Sequence, residues 1–183
     1  MAEIKPIKGG ERLQDYLDKL AKKVAKKGHV RVGFLEGATY PDGTPVAMVA
    51  AIQNFGAPAA GIPPRPFFTN MVNREAGGWG VKMGQVLERA EYDGEKALEL
   101  MGAGIAGQLR QSIVETIAPP NSPVTNLLKQ RFPQGGQTFE DVLQARADVD
   151  AGVLAPAGKP LVQSGHLLAS VDSEVVMGSD DES

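Results

Sequence analysis

The chain has 183 residues, 42% of them hydrophobic and 22% charged, with no cysteine and only two histidines, His29 and His166. Such a length suits one domain able to bury roughly 70% of the surface its unfolded chain exposes, and the missing thiols exclude disulfides, cysteine nucleophiles and sulfur-ligated metals. The net charge of −3 hides a polarity: residues 1–28 carry a surplus of four positive charges, whereas residues 172–183 carry five acidic side chains and no basic one. That balance argues against a surface that coats duplex DNA.

Residues 1–10 contain no apolar signal segment, and no stretch is apolar enough for a membrane span, so a cytoplasmic protein is expected. After Gly9-Gly10, Leu13, Leu17, Leu20 and Val24 recur at helical spacing, with Glu11, Asp15 and Asp18 early and Lys22, Lys23, Lys26 and Lys27 late. This predicts an amphipathic helix ended by Gly28, its charges matched to its dipole. A solvated helix end accounts for the lysine run. His29 to Leu35 alternates, placing Val30, Val32 and Phe34 on one face of a half-buried strand. Pro41-Asp42-Gly43 then supplies a turn, Thr44 a helix cap and Pro45 a first helical residue.

The segment 46–55, VAMVAAIQNF, is apolar nearly all round, which predicts a helix that is buried or covered by a partner, stopped by Gly56. Ile62-Pro-Pro-Arg-Pro-Phe-Phe68 follows, its prolines holding the backbone extended and presenting Arg65 on a stiff loop. A salt bridge within the loop and a contact between subunits both fit Arg65. Helical rhythm resumes at Phe67, with a break expected at Gly77-Gly78, and continues from about Trp79 to Ile117 as one helix or as two joined near Asp93-Gly94. Pro119-Pro120 ends it. Residues 118–159 are rich in Pro, Gly, Asn and Gln, and only 138–148, with Thr138 and Asp141 placed as a capping pair, suggests a short helix. A turn into a short helix or strand is expected over 159–170, then alternation at Val171, Ser173 and Val175 before an acidic tail.

Chemical motifs are sparse. Gly102, Gly104 and Gly107 spell the letters of a dinucleotide fingerprint, but a helical pattern precedes them where a buried strand is required, so a small-residue face for a close backbone approach is the better account. Ser164 and His166 have no acid placed beside them by any motif, and Glu95 with Glu99 fits an exposed helix face. Nothing in the chain points to a cofactor or a metal.

The order of the segments is more informative. Val30 to Ala47, Ala50-Ala-Ile-Gln-Asn-Phe-Gly-Ala-Pro58, Ile62 to Phe68 and Lys159-Pro-Leu-Val-Gln-Ser-Gly-His-Leu-Leu-Ala-Ser-Val171 together resemble the tail-component family of tailed bacteriophages, also called tail-completion, neck or virion-morphogenesis proteins. Asn54 stands where that pattern has glutamate, Ser164 where it has threonine and His166 where it has glutamine. An ion pair between position 54 and Arg65 is therefore replaced by a neutral hydrogen bond or is absent.

The resemblance implies a structural virion protein without catalysis, found in the host cytoplasm during assembly and then at the head-to-tail junction. There it would complete or terminate the tail, or connect it to the head, as a hexameric ring, with self and other neck proteins, tail tube or head connector as partners and DNA only as cargo. An α+β fold is expected: a small mixed or antiparallel sheet packed against a long helix, with the N-terminal amphipathic helix and a loop excursion. Residues 1–118 and 159–178 would form the core, 119–158 an extended arm and 179–183 a disordered acidic tail. Tyr40, Asp42, Arg65, Phe67 and Phe68 are the expected interface, with the 36–44 loop and the arm facing partners. Gly33, Phe55, Gly56, Pro64, Pro66, Leu161, Ser164, Gly165 and Leu167 are the expected structural motif, with core packing the stronger account for Phe55. A nucleotide-binding enzyme using Gly102 to Gly107, and a DNA-contacting module using the basic N-terminal helix, are the alternatives from other classes.

Overall fold

The computed structural model describes residues 10–24, 27–133, 135–162 and 165–178. Among them the order is α1 (Gly10–Val24), β1 (Gly28–Phe34), α2 (Val46–Phe55), a 3₁₀ turn (Pro58–Ala60), α3 (Phe67–Arg89), α4 (Gly94–Glu115), α5 (Pro123–Arg131), α6 (Phe139–Asp150), α7 (His166–Ala169) and β2 (Val171–Met177). The fold is α+β. Its strands pair antiparallel, from Gly28 opposite Met177 to Phe34 opposite Val171. The sheet lies on α4, α3 packs along α4, and α2 closes one end.

Why α4 is central follows from its small and branched residues. Ala97, Ala106, Leu109, Ser112 and Ile113 are all buried, at helical spacing. Gly102 lets the sheet approach: a Cβ there would lie 2.7 Å from Cγ2 of Val30 and 3.0 Å from Ser173. Gly104 and Gly107 face open space, so of the glycine cluster one member serves close packing and none sits at a strand-to-helix turn. Val46, Ala50, Phe67, Met71, Leu167 and Val171 complete the core, and Phe34 meets Phe67 edge-on with ring centroids 6.3 Å apart.

Several boundaries differ from the sequence-based expectation. No break occurs at Gly77-Gly78; α3 runs through to Arg89. Each glycine costs a helix up to ~1 kcal/mol, but contacts to α4 flank the pair: Trp79 Nε1 donates to Gln108 Oε1 at 2.9 Å, Gln108 Nε2 donates to Glu75 Oε2 at 2.8 Å, and Arg74 pairs with Glu115 at 3.3 Å. Of the two forms expected, one helix or two joined near Asp93-Gly94, the structure has two, because Glu91 and Tyr92 take left-handed backbone angles and the Asp93 carboxylate accepts from the Lys96 amide to start α4. Helix α2 begins one residue later than expected, with Pro45 as its cap, while Thr44 N donates to Asp42 Oδ1 in the preceding turn.

The stretch 119–158 is also more ordered than an extended arm. Ser122 caps α5, with Pro123 in its first turn, and Thr138 with Asp141 forms the reciprocal capping box of α6. The two helices pack on each other, with Leu127 and Ala145 buried and Arg131 joined to Asp148 at 2.6 Å. The expected α6 is present; α5 was hidden by a proline-rich approach that reads as loop. Ser164 and the acidic residues 179–183 lie outside the described residues.

Candidate functional site

Arg65 organises the region where α2, the proline loop, α5 and α7 meet. The extended Ile62–Pro66 backbone carries it inward rather than out: it is only 6% exposed. Its Nε donates to Pro119 O at 2.9 Å, Nη1 to Gln53 Oε1 at 2.8 Å and Nη2 to Pro120 O at 3.2 Å. The Arg65 amide donates to Gln53 O at 2.7 Å. The side chain thus ties the chain between α4 and α5 to the end of α2. Every one of these acceptors is neutral, and among the described residues no carboxylate pairs with Arg65.

Asn54 does something the sequence pattern concealed. It does not touch Arg65; its neighbour Gln53 does. Buried Asn54 instead accepts from the amides of Phe68 at 3.0 Å and Thr69 at 3.2 Å, and its Nδ2 donates to Thr69 Oγ1 at 2.9 Å. Pro66, which precedes α3, has no side-chain oxygen to cap it. Asn54 therefore caps α3 from another helix, satisfying amides that the helix leaves unpaired. Gly56 makes the sharp exit that permits this, at φ 78° with a would-be Cβ 2.9 Å from Ile62 O and Pro64 N. Only glycine fits there.

Beside Arg65 opens a cleft of about 690 Å³, whose lining includes Tyr40, Gln53, Ser122, Thr125, Lys129 and His166. His166 Nε2 lies 2.8 Å from Thr39 O, and its ring tilts against Tyr40 at a 4.7 Å centroid distance, fastening α7 to the 36–44 loop. Burial, with Asp42 adding to it, raises the Tyr40 hydroxyl above the ordinary tyrosine value. Lys129 Nζ donates to Lys159 O at 3.3 Å. Burial first, and the nearby Arg65 charge second, push the Lys129 ammonium below its ordinary value. Burial likewise lowers the Arg65 guanidinium. The cleft is electropositive, with both cations set against neutral oxygen atoms.

The expected interface residues separate. Tyr40 and Arg65 line the cleft, Asp42 is exposed in its turn, and Phe68 is half-buried against the core. Phe67 is a correction: at 1% exposure it is a core side chain, bonded through its carbonyl to Ser112 Oγ at 2.7 Å. Phe55 reverses the opposite expectation, standing 73% exposed at the end of α2. Helical geometry decides this, because Val46, Ala50 and Asn54 claim the inward face at four-residue spacing and leave Met48 and Phe55 outside. Of the expected structural motif, Gly33 and Leu167 are buried, Pro66, Leu161, Gly165 and Gly56 are half-buried, and Pro64 is exposed.

Among the described residues several apolar side chains remain uncovered, Phe139 and Leu143 of α6 included, and two helices stand out. Helix α1 has no buried residue; Leu13, Tyr16, Leu17 and Val24 are exposed along it. The outer side of α2 exposes Met48 and Phe55. Among the described residues no group of His, Asp and Glu side chains is placed to hold a metal, and no helix is long and apolar enough to cross a membrane. Comparison with protein-family models, with curated proteins and with solved structures finds no match to this chain.

Proposed function

We propose that this chain is a structural subunit of a bacteriophage neck, completing the tail and joining it to the head as one copy in a closed ring. The uncovered apolar faces of α1 and α2 carry the reading. Helices shorter than ~12–15 residues are marginal alone in water, and a 15-residue helix with no buried residue gains its stability from a neighbour. Two separate apolar faces on one chain suit a heterologous contact, in which one face of each copy meets a different face of the next and the rotation closes. Motif order supports the same role through its resemblance to the tail-component family.

Electron microscopy of particles from a phage carrying a stop codon in this gene tests it. Filled heads with separate tails, or tails of abnormal length, are the expected result, reversed by complementation. Normal infectious virions overturn the reading.

A further inference from the structure

Arg65 is buried and Lys129 half-buried, and among the described residues both donate to neutral oxygens. A guanidinium has five N–H donors, and Arg65 uses three of them. Near these cations stand the Ser122 and Thr125 side chains at the start of α5, whose own amides add positive potential to the cleft. A carboxylate entering here would neutralise charge where the dielectric is lower than at the surface, so its Coulomb attraction is stronger and, with N–H donors to meet its oxygens, offsets the cost of desolvating it.

The chain carries its own complement. Asp180, Asp181 and Glu182 follow one another directly. The described chain runs as far as Gly178, at the far end of the sheet: the cleft adjoins α7 and the Val171 end of β2, whereas Gly178 N donates to Lys27 O at 2.8 Å beyond the Met177 end. Seven strand residues separate the two ends by ~20 Å. Glu182, four residues past Gly178, lies no more than ~14 Å from it along the backbone. That backbone span is shorter than the sheet it would have to cross to the cleft of the same copy.

We propose that the cleft bounded by the proline loop, α5 and α7 is a socket for the acidic segment Asp180-Asp181-Glu182 of a second copy, held by the Lys129 and Arg65 side chains that line it. Positive socket at one end and negative plug at the other make a head-to-tail contact, which repeats from copy to copy. The inference rests on the ring reading for the presence of adjacent copies.

The test uses the full chain carrying Asp180→Asn, Asp181→Asn and Glu182→Gln, so that its own acids do not compete. Into it is titrated the peptide Gly-Ser-Asp-Asp-Glu-Ser, which copies residues 178–183, while amide NMR signals are followed. Saturable shifts are expected at the amides of residues 121, 122, 124, 125, 129 and 165–167, weakened by added salt. Adding Lys129→Gln should weaken binding about tenfold, Lys129→Arg should retain it, and Lys23→Gln should leave it unchanged. Shifts confined to Lys22, Lys23 and Lys27, no shifts at all, or inorganic phosphate saturating the same amides at lower concentration than the peptide would each overturn the socket. Peptide binding with normal virions from the stop-codon phage removes the neck reading and keeps the contact; the converse removes the contact alone.

Discussion

Helices α1 and α4 both repeat apolar residues at helical spacing, α1 the more one-sidedly, and meet opposite fates. Ala97, Leu109 and Ile113 of α4 are fully buried beneath the sheet and α3, whereas Leu13 and Leu17 of α1 are more than half exposed. A helical repeat of leucines thus fixes conformation and the direction of a face but not what covers it. Within α4 the repeat is completed by small residues that admit a sheet; α1 has long polar side chains between its leucines and touches little of its own chain.

The largest effect should come from the covered helix. Leu109→Ala removes a side chain with no exposure, and a loss of ~2–5 kcal/mol is expected in urea unfolding. Leu17→Ala, on the uncovered helix, should leave the isolated chain's unfolding within about 0.5 kcal/mol yet weaken self-association measured by sedimentation. A stability loss at Leu17 matching that at Leu109 would erase the distinction between the two helices.

Arg65→Ala should cost ~3 kcal/mol, since it removes charged hydrogen bonds to Gln53, Pro119 and Pro120 and releases the α4–α5 connection. Loss of cooperative melting, rather than of assembly alone, is the expected readout. Gly102→Val should destabilise by ~1–3 kcal/mol through overpacking against Val30 and Ser173. Gly104→Ala, with open space around it, should instead stabilise by up to ~1 kcal/mol. Asn54→Ala should cost about 1 kcal/mol as a lost cap, with faster amide exchange at Phe68 and Thr69.

The smallest effect concerns acid. Asp141 is held below the ordinary carboxylate value first by the Thr138 amide and then by its hydroxyl, and Asp148 first by Arg131 and then by Gln144. Because folding lowers both values, their contribution is full above the unfolded carboxylate value and is lost as pH falls through the lower folded one. Amide exchange in α6 should therefore quicken, relative to α4, as pH drops through that window. Thr138→Ala should reduce the difference.

Much of the backbone plan was legible. The β1 alternation, the Pro-Asp-Gly turn, the capping box of α6 and the stop at Gly56 follow from local chemistry that needs few distant partners. The cleft was not legible, because Tyr40, Arg65, Lys129 and His166 come from four separate segments. Proline spelled loop before α5 although Pro123 sits in its first turn, where its missing amide proton costs nothing.

Sequence alone determined most of the helical and extended segments and the unequal charge of the two ends, because periodicity, capping and turn chemistry act over a few residues. Tertiary structure decided that Phe67 is inside and Phe55 outside, that Asn54 caps a different helix, and that α3 passes through two glycines. Each of those outcomes depends on which distant group fills a face or accepts a hydrogen bond, and that is set only when the elements pack.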